Sequence, residues 1–282
     1  MPVATRQLVV NADDFGLAPG VNRGILEAHS AGSLTSTSAL VTGQAFAEAA
    51  ALARERAPTL AIGLHLDLVA GRPLTHAPSL TDARTGHFHS LGALARRALI
   101  GGVRAAEVRR ECDAQLAALM QAGIRPTHLD SHRHAHALPG VLPAVLASAR
   151  AAGIRIVRRP LDRIALRHPI ASTKIAMLHA AWRRAISGVA REDHQLIERA
   201  PRFRGITLQG ASDVRARLLD FLDRLEPGTT ELMLHPGYDD TELAALDPYR
   251  APRERELAAL ISPEWRERLA ANEIRLVSFA EL

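Results

Sequence analysis

The sequence predicts an α/β protein: an irregular TIM-like (β/α) barrel of seven or eight parallel strands, built as a single domain over residues 1–282. Short β-rich runs alternate with helical stretches almost from end to end. The gaps between the runs hold crossover helices and are too long for hairpins, which is the βαβ pattern of a parallel sheet with helices outside. Repeating that unit seven or eight times favours a barrel over an open sheet.

In chain order the strand candidates are LVVNA (8–12), TSTSALVT (35–42), LAIGLHLDL (60–68), PTHLDSH (126–132), IRIVRR (154–159), GITLQG (205–210), ELMLHPG (231–237) and IRLVSF (274–279). Amphipathic segments such as VNRGILEAHSAG, AFAEAAALARERA and AAEVRRECDAQLAALMQAG lie between them. Two stretches break the rhythm. Residues 69–97 carry Gly, Pro, Thr and three His, and read as a long loop over one barrel end. Residues 160–204 form a basic, partly helical, lid-like excursion.

An apolar content of 47% suits a globular core, and 4% aromatics leave that core to Ala, Leu, Val and Ile. No apolar run approaches about eighteen residues, and MPVATRQ passes directly into a strand. Neither a membrane span nor a signal peptide is expected, and a cytoplasmic location is. The single cysteine, Cys112, excludes an internal disulfide and a cysteine-rich zinc module. The net charge of +5 is concentrated: residues 155–191 hold eight Arg, one Lys and a single acid, Asp162. A solvated helix face accounts for such a run. So does a surface for an anionic partner, of which peripheral contact with acidic lipid is one form. No nucleic-acid motif accompanies it, so no nucleic-acid partner is expected.

Polar groups fall at the strand ends. Asp13 and Asp14 follow LVVNA; His65 lies in IGLHLDL; His128, Asp130 and His132 lie in or beyond PTHLDSH, with His134 and His136 next; His235 closes ELMLHPG. In parallel α/β folds the carboxyl ends of the strands converge on one face, where ligands bind. Taken singly, an Asp pair caps a helix, a strand histidine sits hydrogen-bonded in the core, and HPG is a turn. Taken together, four strand ends carry compatible acid–base or metal-binding groups. Adjacent carboxylates repel, and a divalent ion relieves that repulsion. Held by one carboxylate and two imidazoles, such an ion polarises a carbonyl and lowers the pKa of water. The second Asp then takes the water's proton, and a His on the far side protonates the leaving group. His132 and His136 stand four apart, so a helical segment would make them a ligand pair.

The four ordered motifs NADDFG, GLHLDL, THLDSHRHAH and HPGY, with FRGITLQG at 203–210, resemble the YdjC/ChbG-type carbohydrate deacetylases, relatives of the NodB-type polysaccharide deacetylases. The resemblance runs essentially the whole chain. It implies a TIM-like barrel, a homodimer, that removes acetyl groups from N-acetylated, chitooligosaccharide-like sugars with one divalent cation, Mg2+ or Zn2+. Position by position it makes Asp14 the metal carboxylate, His65 and His132 the imidazole ligands, Asp13 the general base and His235 the general acid. His136 and Arg158 become substrate contacts. Two other functions stay open: deacetylation of a lipid-linked N-acetyl sugar in hopanoid biosynthesis, and metal or sugar binding without turnover. The second has no use for both Asp13 and His235.

Overall fold

The computed structural model describes residues 5–164 and 169–282. Among these residues seven strands form one parallel sheet: β1 (Arg6–Phe15), β2 (Ser36–Ala39), β3 (Ala61–Leu66), β4 (Leu129–Ser131), β5 (Arg202–Arg204), β6 (Gly228–Leu234) and β7 (Ile274–Leu276). Their order is β4-β3-β2-β1-β6-β5, with β7 beside the start of β1. Helices fill the crossovers, among them Pro19–Ser30, Phe46–Arg56 and Ala105–Gln121, where the amphipathic segments predict them. The sheet curls into a half-barrel. Among the described residues no ladder joins β5 to β4, so the TIM-like barrel is left open there.

β1 is the spine. It pairs with β6 over Arg6–Ala12, with β7 over Arg6–Leu8 and with β2 from Asn11 onward. Strand side chains alternate between faces. Leu8, Val10 and Ala12 therefore enter the large core under the helices. Val9 points the other way, into a plug with Ile156, Ala200, Val277 and Phe279 that closes the bottom of the half-barrel. Asn11 and Asp13 continue that inner row toward the carboxyl end, so the interior turns from apolar to polar as the strands rise.

Three expectations differ from the structure. IRIVRR makes only a one-residue bridge, Val157 with Leu129. The Val157 N–H bonds to the Leu196 carbonyl, and Pro160 has no N–H to extend a ladder. In place of the sixth candidate the chain forms β5 just before it, at Arg202–Arg204, and GITLQG is a turn. Gly205, at φ 143°, ends that strand, and the Asp162 carboxylate takes the N–H groups of Gly205 and Ile206. The alternating pattern of ITL imitated a strand there. Residues 69–90 are a loop, as expected, but 91–97 belong to the helix Leu91–Leu99. Buried Glu107 and Glu111 hold that loop by the N–H groups of Leu74, Thr75 and Ser79. Part of the 160–204 excursion, residues 165–168, lies outside the described residues. Its remainder includes the helix Pro169–Ile186.

Candidate active site

Adjacent strand residues face opposite sides, so Asp13 and Asp14 should not share a cavity. An irregularity at the end of β1 makes them do so. The register with β2 slips between Ala12 and Phe15, and Asp14 adopts φ 72°. A left-handed non-glycine residue costs on the order of 1–3 kcal/mol and persists where the surroundings enforce it. The consequence is a cavity of about 330 Å3 lined by both carboxylates, His65, His132 and His235, all at the carboxyl ends of parallel strands. A larger recess of about 420 Å3, beside the helix Val214–Asp223, contains none of the predicted site residues.

Asp14, His65 and His132 close on one point. His132 Nδ1 lies 3.0 Å from Asp14 Oδ1, and His65 Nε2 lies 3.4 Å from the same oxygen. Three donors each about 2.1 Å from a tetrahedral ion would stand about 3.4 Å apart, so these three could hold one divalent cation. His65 is set up for that role. Its Nδ1–H donates to Asp130 Oδ1 at 2.7 Å, so Nε2, which faces Asp14, is the nitrogen left to bind an ion once it gives up its proton. Burial alone would lower the His65 pKa, but Asp130 and Asp13 raise it well above the usual imidazole value. Burial pushes Asp14 up, yet Arg253 and His132 hold its carboxyl well below the usual range.

Each acid of the pair also has its own buried arginine. Arg158 grips both oxygens of Asp13, at 2.9 and 2.8 Å, and reaches Asp130 at 2.6 Å and Glu231 at 2.7 Å. One guanidinium cannot neutralise three carboxylates. Burial, only partly offset by Arg158, pushes Glu231 up to about 7. Arg253 donates to Asp14 Oδ2 at 2.7 Å and to Asp247 at 2.8 Å. The Asp–Asp repulsion therefore has an answer within the protein. What points to a cation is the pair of imidazoles converging on the one oxygen of Asp14 that no arginine holds.

The sequence model of the YdjC-like proteins matches residues 7–271. The chain belongs to that family. It is similar to a carbohydrate deacetylase of Geobacillus stearothermophilus, 34% identical over 277 residues and covering 98% of each chain. It is also similar to a chitooligosaccharide deacetylase of Yersinia pestis, 35% identical over 280 residues and covering 97% of this chain and 98% of that one. A crystal structure from Enterococcus faecalis V583, 31% identical, covers 98% of both chains at a TM-score of 0.75.

In this YdjC-like chain, HRHAH is not an α-helix. Arg133 (φ 53°) and His134 (φ 57°) are both left-handed, so residues four apart do not share a face. His132 enters the cavity. His136 is fully buried, with Nδ1 on Ser131 Oγ at 2.6 Å and Nε2 on the Arg158 carbonyl at 3.0 Å. Burial pushes it down to about 4. It neither pairs with His132 nor touches the cavity, which corrects its expected place as a substrate contact. Arg158 is corrected likewise: it is 1% exposed and lies beneath Asp13. His128 is stacked on Phe279 at 3.9 Å and pushed down to about 3 by burial, a neutral core residue.

His235 sits on the far wall. Its backbone N–H donates to Glu256 at 2.5 Å, its ring meets Tyr249 edge-on at 5.4 Å, and among the described residues its Nδ1 has no partner. The HPG turn is locked by contact with the helix Pro19–Ser30. A Cβ on Gly24 would come within 2.5 Å of the Gly237 Cα. Sequence reasoning missed Arg253, Tyr249 and Glu256, and left Asp130 and the cavity-lining His134 without a role. Arg253 and Glu256 lie in RAPRERE, which reads as a charged helix start on the surface, and no periodicity signals that two of its charges turn inward.

Proposed function

We propose that this chain is a metal-dependent carbohydrate N-deacetylase that hydrolyses the acetamide of a chitooligosaccharide-like sugar and releases acetate. One observation carries the reading: Asp14, His65 and His132 converge beside Asp13 and opposite His235, in a chain whose full-length relatives include carbohydrate deacetylases. When bound, a divalent ion supplies Lewis acidity for the acetamide carbonyl and for water. Two nitrogens and one carboxylate suit Zn2+, whereas Mg2+ prefers an all-oxygen shell.

The chain's own groups divide the proton transfers. Asp13 is the base. Its Oδ1 already accepts from Asn11 and Arg158, while among the described residues Oδ2 accepts only from Arg158 and keeps a lone pair for a water proton. Arg158 fixes the plane of that carboxylate. His235 is the acid that donates to the departing amine, placed by the Glu256 bond to its backbone and by the Tyr249 ring. The left-handed backbone at Asp14 turns the ligand carboxylate to the same side as the base.

The test is acetate release from diacetylchitobiose, with the protein stripped by EDTA and then reloaded with Zn2+ or Mg2+. Acetate from the reloaded protein and none from the stripped one is the expected result. If no N-acetylated sugar yields acetate with any divalent ion, the deacetylase reading fails and a binding protein replaces it. The lipid-linked substrate has one observation in its favour. The helix Pro169–Ile186 exposes Ile170 (87%) and Met177 (69%) beside Arg183 and Arg184, and its Lys174 reaches the cavity. Among the described residues no helix is long and apolar enough to cross a membrane.

A further inference from the structure

We propose that Arg253 is the positioning residue of the cation site: it holds Asp14 Oδ2 so that Oδ1 alone faces the two imidazoles. The inference rests on Asp14 being a ligand, as proposed above. Arg253 comes from the first turn of the helix Ala251–Leu260, outside every motif at the strand ends and 239 residues from Asp14. Its side chain is 0% exposed and fixed at three places. The outer nitrogen bridges Asp14 Oδ2 at 2.7 Å and Asp247 Oδ2 at 2.8 Å, and Nε donates to the Tyr249 carbonyl at 2.8 Å. The guanidinium carbon also lies 5.6 Å from the Tyr249 ring centre.

Asp14 needs such a clamp. A carboxylate rotates readily about its last bond, and here its backbone is already held in a left-handed conformation. Among the described residues Oδ2 has Arg253 as its only hydrogen-bond partner, while His65 and His132 both approach Oδ1. Without the arginine, Oδ2 becomes a buried carboxylate oxygen with no donor, and nothing keeps Oδ1 directed at the histidines. A lysine could supply the charge but not the planar fork that reaches Asp14, Asp247 and Tyr249 together. The same helix places Glu256 on the His235 backbone, so one element braces both walls of the cavity.

The experiment measures Zn2+ binding to the stripped, full-length protein by titration calorimetry, with folding checked by circular dichroism. It compares the unaltered chain with Arg253→Met, Arg253→Lys, Asp247→Asn and Asp14→Asn. Loss of a group that orients a ligand weakens metal binding by about 10- to 100-fold. Arg253→Met should fall in that range, Arg253→Lys should recover part of the loss, and Asp247→Asn should lose a few-fold, because it frees one anchor of the fork. Zn2+ affinity within about twofold of the unaltered chain in folded Arg253→Met overturns the proposal. If that variant does not fold, unchanged affinity in both Arg253→Lys and Asp247→Asn overturns it equally. Asp14→Asn separates the two levels. Undiminished binding there removes Asp14 as a ligand, whereas lost binding there with undiminished binding in the Arg253 variants removes only the role given to Arg253.

Discussion

Replacing Asp130 by Asn tests how the site is prepared for a cation, because the structure dictates which way the new amide must turn. Asp130 Oδ2 receives the Ser38 hydroxyl at 2.7 Å and the Arg158 guanidinium at 2.6 Å, two donors that an amide can meet only with its oxygen. The NH2 group is then left facing His65 Nδ1, where the carboxylate had accepted a hydrogen bond at 2.7 Å. His65 must give up its Nδ1 proton and carry it on Nε2, the nitrogen that faces Asp14. A protonated Nε2 cannot ligate. Arg158 keeps Asp13 and Glu231 as partners, so the fold should survive. The expected loss is about 10- to 100-fold in divalent-ion affinity, or roughly 1.4–2.8 kcal/mol, with acetate release falling in step unless metal is raised to saturation. Calorimetric titration of the stripped protein with Zn2+ reads it. Equal affinity in Asp130→Asn and the unaltered chain, both folded, would refute the tautomer reasoning.

Other expectations concern the neighbouring groups. Glu231 is held protonated toward pH 7 in the folded chain, against an ordinary value of 4.5. A raised folded pKa gives stability that is fully present below 4.5 and lost as pH rises through 7, about 3 kcal/mol in all. Glu231→Gln lacks that loss, so its stability relative to the unaltered chain should improve by up to about 3 kcal/mol between pH 4.5 and 8 in urea unfolding. A flat difference would contradict it. Asp13→Ala should lose several orders of magnitude in turnover while retaining metal, whereas His65→Ala should lose the metal itself; elemental analysis of each purified variant separates them, and metal loss in Asp13→Ala would make Asp13 a ligand. His235→Ala should lower kcat by about 10²–10⁴-fold at unchanged metal content, and a loss confined to KM would remove its role as acid.

The inward-facing chemistry was legible where one strand carries it. LVVNADD, IGLHLDL and ELMLHPG announce strands by apolar runs, and the polar residue that ends each run lies at the carboxyl end of β1, β3 or β6. Two classes of feature were hidden. Backbone handedness was one: nothing in the letters HRHAH shows that Arg133 and His134 turn left-handed, so the four-residue spacing suggested a His132–His136 pair that the chain does not form. Charges arriving from a distance were the other. Arg253 meets Asp14 across 239 residues, and Arg158 meets Asp13 across 145. Such pairs leave no local pattern, and an arginine that is buried by its partners reads like any surface arginine until the fold is known. The open seam of the half-barrel has the same origin. Whether residues 154–159 pair as a strand depends on what Val157 finds opposite it, and it finds the Leu196 carbonyl.

The most direct measurement is anomalous diffraction from crystals of the full chain loaded with Zn2+, with data on both sides of the zinc absorption edge. A single peak bounded by Asp14 Oδ1, His65 Nε2 and His132 Nδ1, about 2.0–2.2 Å from each, is the result expected. Zinc bound elsewhere, with the two histidines still hydrogen-bonded to Asp14, would contradict it.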